Sequence, residues 1–481
     1  MKKLVRKIGR RGYGIAALVA AVSVGGIVLL KAPSHAVPVP VDGPVSQGTW
    51  EQAAPSRSTF AGPQLSGAAA LSQGAVLAHG NREVLAEISL RASEEGGTEQ
   101  RMPVALAVVL DVSGSMSGEK IEQARRSLRQ LVERMEPSDQ VAIITYNHAP
   151  LVRQSLSPVS AVRPALSGLV QEIYASGGTM IPPALELGAS SLAAAPANYV
   201  RRVVLISDGL DGSGQGPVGV ASMVRRHATN GVAMSSLGIG IDYDQTFLTA
   251  VADAGRGNYA FLRNGSELHG FLNKELDEAG HTVVDEVVAV LDLPSGWSVA
   301  QVIGAETERA GNSIRLPVGP MFRGDQRRVV TVLRVEAGSP GDLGGVGVRV
   351  RYRTTGDQVQ HDIGGAELAL RSVPTGPEVE ASRDQTIHAR TVAAKLEVEQ
   401  EQAVQAWRDG DVQRARSISQ SNAATLRELQ LAAPAAAAEI APRLEAAEAD
   451  ERNFGMFSAG SAGGRAWDRA STASRRTRSR R

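Results

Sequence analysis

The sequence predicts an α/β fold, in which a mostly parallel sheet is flanked by helices, with an accessory antiparallel β-sandwich and a C-terminal helical extension. Between residues 101 and 280, short continuous apolar runs alternate with helical patterns. Such continuous runs are typical of parallel strands that are buried on both faces. Strand-like segments separated by Gly, Pro and Asp follow at 281–374 and indicate the sandwich. Residues 378–453 then carry helical patterns, which Gly410 breaks into a hairpin.

The composition excludes several classes of site. The 481 residues include no cysteine, which excludes disulfides, zinc–thiolate sites, thiol catalysis and a lipoprotein anchor. The net charge is +1, so no overall field attracts nucleic acid, and no nucleic-acid partner is expected. Aromatic residues make up 4% of the chain, so the cores must be built from Ala, Val, Leu and Ile.

Residues 1–31 predict a membrane-targeting segment. Six basic residues precede an uncharged stretch of 19 residues, Gly12 to Leu30, just long enough to span a bilayer as a helix. The basic flank is expected to stay in the cytoplasm, which places the rest of the chain in the periplasm or outside the cell. We favour an uncleaved, single-pass anchor in the inner membrane, because the apolar run is long. The alternative is a signal peptide cleaved after Ala36, which gives a secreted protein.

The regions that flank the α/β domain have simpler patterns. Residues 32–72 are rich in Pro, Gly and Ala and predict an extended linker. Residues 73–100 predict strands that complete the sandwich, so that the α/β domain is an insertion in it. Residues 454–481 predict a disordered, Arg-rich tail.

The α/β region predicts strands and helices in alternation. The strands are predicted at Val104–Leu110, Val141–Tyr146, Val203–Ser207, Val232–Ile239 and Tyr259–Leu262. The helices are predicted at Glu119–Met135, Ala161–Val170, Pro182–Ala193, Val218–His227, Thr246–Asp253 and Ser266–Glu278. Ligands of such sheets bind at the carboxyl ends of the strands.

Acidic and hydroxyl side chains gather at two of these strand ends. Asp111, Ser113 and Ser115 follow the first strand, Thr179 lies in a Gly-Gly-Thr loop, and Asp208 ends another buried strand. Such hard oxygen donors suit Mg²⁺, Mn²⁺ or Ca²⁺ rather than zinc or copper. Taken alone, the first group also fits an Asx turn that leads into a helix cap.

In their order and context, these residues resemble the metal-ion-dependent adhesion site of von Willebrand factor type A domains. The segment VALAVVLDVSGSMSGEKIEQARRSLRQLV is similar to A domains of inter-alpha-trypsin-inhibitor heavy chains and of bacterial exported proteins. The segment GIGIDYDQTFLTAVADAGRGNYAFL resembles the last strand–helix–strand of the domain. The resemblance extends from Arg101 to Ala279 and implies a Rossmann-like fold.

The resemblance also implies a ligand set and a binding mode. Asp111, Ser113 and Ser115 would coordinate the metal, Thr179 would join directly or through water, and Asp208 would support through a water. The metal would be Mg²⁺, or else Mn²⁺ or Ca²⁺, and a Glu or Asp of a partner protein would complete its shell. Asp211 lies in the loop after Asp208, where we expect an exposed turn residue.

We therefore predict a non-enzymatic, metal-dependent protein-binding protein, an adhesion or scaffold protein that is exported and tethered to the membrane. The sequence contains no HExxH, no GxSxG and no complete P-loop, and its eight histidines lack ligand spacing. Two alternatives remain open. One is a structural cell-envelope protein with a non-functional metal site, and the other is an accessory subunit of a metal-dependent enzyme complex.

Overall fold

The computed structural model describes residues 56–94 and 101–480. The predicted targeting segment, residues 1–31, and most of the predicted linker lie outside the described residues. Within the described ranges, no helix is both long enough and apolar enough to cross a membrane.

The described chain begins with strands of a β-sandwich: β1 (Arg57–Gly62), β2 (Leu65–Leu71), β3 (Ala75–Leu77) and β4 (Gly80–Ala92). The prediction of a linker up to residue 72 is therefore wrong at its C-terminal end. Phe60, Leu65 and Leu71 of this segment are buried in the sandwich core. The segment looked like a linker because its other residues are mostly small, and it gains its order by pairing with β4.

The α/β domain follows. Its strands are β5 (Val104–Asp111), β6 (Gln140–Tyr146), β7 (Pro150–Pro158), β8 (Val200–Ser207), β9 (Val232–Ile239) and β10 (Arg256–Leu262). Its helices are α1 (Glu119–Arg134), α2 (Val159–Val162), α3 (Leu166–Gln171), α4 (Ile181–Ser191), α5 (Pro217–Thr229), α6 (Gln245–Ala254) and α7 (Leu268–Gly280).

The sheet of this domain has the strand order β10-β9-β8-β5-β6-β7 and is parallel except at β7, which runs antiparallel to β6. Apolar cores lie on both of its faces, and side chains of β5 enter them alternately, Leu106 on one face and Ala107 on the other. The predicted α/β fold class is confirmed. The helix expected at 161–170 is instead the two short helices α2 and α3, with Pro164 between them.

The chain then returns to the sandwich. The strands are β11 (Thr282–Asp292), β12 (Trp297–Ile303), β13 (Glu308–Ala310), β14 (Ser313–Phe322), β15 (Gln326–Ala337), β16 (Gly341–Thr354), β17 (Gln360–Gly364) and β18 (Leu368–Val373). One sheet has the order β1-β2-β4-β15-β12 and the other the order β13-β14-β11-β16-β18-β3, with β17 paired to β16. The two sheets share one apolar core, so the α/β domain is inserted between β4 and β11.

Helices complete the described chain: α8 (Gly376–Ala381), α9 (Gln385–Arg408), α10 (Val412–Ala432), α11 (Ala437–Met456) and α12 (Ala462–Arg480). Gly410, with φ of +90°, makes the turn between α9 and α10. The Asp411 side chain then caps α10 by accepting a hydrogen bond from the Arg414 backbone N–H at 3.0 Å.

The Arg-rich C-terminal segment is helical, and the prediction of a disordered tail at 454–481 is wrong. Arg475 of α12 pairs with buried Asp450 of α11, and Arg478 pairs with Glu397 of α9. Arg476 bonds Asp253 at the end of α6, so α12 also packs against the α/β domain. The arginines looked solvated in sequence because the acids that neutralise them lie far away along the chain.

Candidate metal centre

Asp111 ends the buried strand β5 and is itself buried. Its Oδ1 accepts a hydrogen bond from the Ser113 backbone N–H at 2.8 Å. Its Oδ2 accepts from Ser207 Oγ at 2.9 Å and from the Tyr146 hydroxyl at 3.4 Å. Burial raises the pKa of Asp111, and the nearby charge of Asp208 adds to this rise. The carboxylate is therefore fixed in orientation at a place where its negative charge is costly, a cost that a cation would relieve.

The two serines join Asp111 to Asp208, which follows β8. Ser113 Oγ lies 3.0 Å from Ser115 Oγ, and Ser115 Oγ donates a hydrogen bond to Asp208 Oδ1 at 2.7 Å. Ser113 and Asp208 are buried, whereas Ser115 is exposed. Strands β5 and β8 are neighbours in the sheet, which is why residues far apart in sequence meet at this edge.

Thr179 reaches the same place from the loop before α4. A Cβ built on Gly209 would lie 3.2 Å from Thr179 Oγ1 and 3.6 Å from Ser115 Oγ. The two hydroxyls therefore line one small space, which the absence of a side chain at Gly209 leaves free. The structure thus brings all of the predicted ligands, Asp111, Ser113, Ser115, Thr179 and Asp208, to one edge of the sheet. That they bind a metal stays a prediction.

The loop that carries Thr179 is held on its inner side by backbone hydrogen bonds to the turn after β5. The Gly114 N–H donates to the Gly177 carbonyl oxygen at 3.0 Å, and the Ser176 N–H donates to the Val112 carbonyl oxygen at 2.7 Å. On its outer side, the Gly178 N–H donates to Nε2 of His148 at 3.2 Å. His148 has no metal-ligand spacing in the sequence, and in the structure it supports the loop.

The same loop is tied to the loop after β8. The Gly212 N–H donates to the Thr179 carbonyl oxygen at 2.7 Å. Asp211 Oδ1 accepts from the Ile181 N–H at 2.9 Å, at the first turn of α4. Asp211 is half-buried rather than the exposed turn residue expected from the sequence, because it accepts from a backbone donor that the start of a helix leaves unpaired. These hydrogen bonds hold the backbone of the Thr179 loop on both sides of Thr179.

Lys120 is the site residue that the sequence analysis missed. Its ammonium group forms an ion pair with Asp208 Oδ2. Lys120 lies in the first turn of α1, where the helix dipole disfavours a positive charge. A cation at that position indicates a nearby anion, and this is the sequence signal that could have identified it.

The donor set fits a hard divalent cation. It offers two carboxylates and three hydroxyls, and the hydroxyls of Ser115 and Thr179 face the space beside Gly209. Within the described ranges, no group of three or more His, Asp or Glu side chains is arranged to hold a metal ion, and the candidate centre combines two carboxylates with hydroxyls instead.

Comparison with known proteins agrees with this fold. Residues 105–274 match the family model of the von Willebrand factor type A domain. The chain contains a von Willebrand factor type A domain. The A domain, as we call it below, comprises β5–β10 and α1–α7 and includes every side chain of the candidate metal centre.

Similar proteins come from distant organisms. The Escherichia coli protein YfbK is 30% identical over 200 residues, which is 40% of this chain and 34% of YfbK. Inter-alpha-trypsin inhibitor heavy chain H2 of Sus scrofa is 29% identical over 188 residues, 36% of this chain and 20% of the heavy chain. The chain thus spans about a third or less of the length of these relatives. The solved structure of a von Willebrand factor type A protein from Catenulispora acidiphila superposes on this chain with a TM-score of 0.61. The superposition covers 78% of this chain and 90% of that protein at 19% sequence identity, and it shows a shared fold.

The family has general properties that bear on this chain. A domains typically mediate protein–protein interaction or adhesion and are generally not enzymes. They commonly bind a divalent metal through the adhesion-site motif.

Proposed function

We propose that this chain is a divalent-metal-dependent protein-binding protein, an adhesion or scaffold protein that grips an acidic side chain of its partner. The observation that carries the proposal is the convergence of Asp111, Ser113, Ser115, Thr179 and Asp208 at the carboxyl edge of the sheet. This edge is where open α/β sheets bind their ligands.

The donor chemistry supports Mg²⁺ as the resident ion, with Mn²⁺ or Ca²⁺ as alternatives. Mg²⁺ prefers oxygen ligands and keeps several waters, one of which a carboxylate can replace. When bound, the ion would supply a positive charge at the part of the surface where the hydroxyls of Ser115 and Thr179 lie. The buried carboxylates of Asp111 and Asp208 would hold such an ion together with the hydroxyls of exposed Ser115 and half-buried Thr179, and the ion would supply a positive charge to a carboxylate of the partner.

Large exposed side chains in the two loops that carry Thr179 and Asp208 support a protein partner. Tyr174, just before the Thr179 loop, is 64% exposed, and Leu210, two residues after Asp208, is 65% exposed. Large exposed side chains beside a charged centre are typical of protein interfaces, where aromatic residues contribute much of the binding energy. We propose that the partner presents a Glu or Asp to the metal and an apolar neighbour to this rim.

We also propose that the protein is exported and tethered to the inner membrane through residues 1–31, with the A domain in the periplasm or outside the cell. This part of the proposal is supported by the basic flank and apolar run of the sequence alone. N-terminal sequencing of the membrane fraction tests it. An intact N-terminus identifies an anchor, a start at Val37 identifies a cleaved peptide, and recovery in the cytosol refutes export.

Thermal unfolding of the full-length protein in EDTA and in Mg²⁺, Mn²⁺ or Ca²⁺ tests the metal centre. A metal that binds only the native state adds about 2.7 kcal/mol of stability at a hundredfold excess over its Kd. Asp111→Ala should abolish this gain. Asp277→Ala is the matched control, because it removes an exposed carboxylate of the same domain whose ion pair with Arg134 contributes little.

Binding of acidic peptides then tests the partner chemistry. Peptides that present Glu or Asp beside an apolar residue should bind the Mg²⁺-loaded protein, and EDTA or Asp111→Ala should release them. Equal binding of the Gln and Asn versions of the same peptides would contradict recognition through a carboxylate. Absence of any metal-linked gain in stability would favour the structural protein with a non-functional site.

A further inference from the structure

Lys120 occupies an unusual position beside the candidate metal centre. Its ammonium group pairs with Oδ2 of Asp208, while Oδ1 of the same carboxylate accepts the hydrogen bond of Ser115. The Asp208 side chain is fully buried, and the Lys120 side chain is 33% exposed. Lys120 therefore provides the positive charge that makes burial of Asp208 tolerable in the absence of any bound ion.

The surroundings of Lys120 hold its charge in this place. Gly240, which follows β9, lies close to the ammonium group, since a Cβ built there would be 3.8 Å from Lys120 Nζ. Glu119, the adjacent acid in α1, accepts a hydrogen bond from Gln123. Among the described residues, Asp208 is the carboxylate that pairs with Lys120. The helix dipole at the start of α1 opposes a cation, so the pair with Asp208 must outweigh it.

We propose that Lys120 is the built-in counter-cation of the metal centre and sets its selectivity for anionic ligands. The inference rests on the proposed function, since it concerns the same site. The carboxylates of Asp111 and Asp208 carry two negative charges, and Lys120 reduces the net charge around a divalent ion to one negative charge. The loaded site then keeps one positive charge, which a carboxylate of the partner neutralises.

Two properties follow from this charge. Lys120 weakens the binding of the metal, because it repels the ion and competes with it for Asp208. It strengthens the binding of a carboxylate to the loaded site, so a partner with Glu or Asp is selected over one with Gln or Asn. Lys120 therefore lowers the affinity of the site for the metal and raises the selectivity of the loaded site for anionic ligands.

The test compares Lys120→Met with Lys120→Arg in the full-length protein. Lys120→Met keeps the side-chain length without the charge, Lys120→Arg keeps the charge, and Lys274→Met is a control at a half-exposed lysine of α7. Titration calorimetry with Mg²⁺ should show binding about tenfold tighter in Lys120→Met, as expected for a unit charge removed from a partly screened site. Lys120→Arg and Lys274→Met should remain within about twofold of the wild type.

A second readout follows the ligand side of the site. With Mn²⁺ bound, water-proton relaxation reports the open coordination positions, and acetate serves as the probe that displaces the water. Lys120→Met should require several times more acetate than the wild type. In EDTA, Lys120→Met should unfold at a lower temperature than the wild type, because the buried carboxylate of Asp208 loses its charged partner. Circular dichroism below the unfolding temperature checks that the variant is folded.

The outcomes separate this inference from the proposed function. If the wild type binds Mg²⁺ and Lys120→Met binds it equally or more weakly, the counter-cation role is refuted while the metal centre stands. If the wild type does not bind Mg²⁺ but Lys120→Met does, the lysine excludes the metal, which refutes both the proposed function and the role of Lys120 in ligand selectivity. If neither binds Mg²⁺, both are refuted.

Discussion

Replacement of Arg475 by Met tests whether the C-terminal helix is an integral part of the fold. The Arg475 guanidinium is buried and lies 3.4 Å from Asp450 Oδ2, with Ser471 Oγ at 2.6 Å and Thr472 Oγ1 at 3.2 Å. Loss of one partner of a buried ion pair costs about 3–5 kcal/mol, because the other charge is left unpaired. Asp450 keeps a hydrogen bond from Gln400 at 2.9 Å, so we expect the lower end, about 3 kcal/mol.

The loss should depend on pH in a defined direction. Burial raises the pKa of Asp450 in the folded protein, and the charge of Arg475 partly counters this rise. Arg475→Met removes that counter-charge and raises the pKa further. A carboxyl group whose pKa is raised by folding favours the folded state while protonated, and this contribution is lost as pH rises through the folded-state pKa. The variant should therefore be closer to the wild type at pH 5 than at pH 8.

Urea unfolding followed by tryptophan fluorescence measures this change. Trp467 of α12 packs edge-on against Trp407 of α9, with ring centroids 4.9 Å apart, so the signal reports the undocking of α12. Arg427→Met is the matched control, since its pair with Glu448 is more exposed and should contribute less than about 1 kcal/mol. A loss in Arg475→Met no larger than in the control would refute the reasoning. Combining it with Asp450→Asn, which leaves no buried charge, should restore most of the stability.

Three further predictions concern the metal centre. Gly209→Ala places a methyl group 3.2 Å from Thr179 Oγ1 and should weaken Mg²⁺ binding, measured by calorimetry, about tenfold. The control is Gly216→Ala, whose methyl group meets no atom within 4 Å and should leave the affinity unchanged. Equal Mg²⁺ affinities of the two variants would contradict a binding space beside Gly209. His148→Ala removes the acceptor of the Gly178 N–H and should weaken Mg²⁺ binding several-fold with little loss of unfolding temperature, so an unchanged Kd would exclude a positioning role. As the pH is lowered, Mg²⁺ affinity should begin to fall above the usual pKa of an aspartate, because a ligand must be deprotonated and burial raises the pKa of Asp111. A Kd for Mg²⁺ that stays constant down to the usual aspartate pKa would refute this prediction.

The parts of this fold that the sequence predicts are those in which local pattern and tertiary environment agree. Strand β5 is apolar at every position from Val104 to Leu110 because it is buried on both faces, so its pattern alone identifies a central strand. The proximity of Asp111 and Asp208 is predictable for a similar reason, because both follow buried strands that are parallel neighbours in the sheet.

The parts that the sequence did not predict depend on partners that are distant along the chain. Strand β7 is only partly buried, so its side chains show no clear alternation, and its pairing with β6 gives it order. Helix α12 contains arginines whose acids, among them Asp253 and Glu397, come from other helices. The local composition of such a segment predicts a solvated tail, because the acids that pair with its arginines lie elsewhere in the sequence and come close only in the folded chain.

The insertion of the A domain places both of its connections to the sandwich at the edge opposite the candidate metal centre. The chain enters β5 at Val104 and leaves α7 at Gly280, and the Met102 N–H donates to the Gly280 carbonyl oxygen at 2.8 Å, which closes the base of the domain. Arg101 strengthens this closure through two hydrogen bonds of 2.8 Å to Asp139. Asp111 lies at the other end of β5, about 25 Å from the base for a strand of this length. Both connections to the sandwich are therefore at the amino ends of the strands, whereas the candidate ligands Asp111 and Asp208 lie at the carboxyl ends.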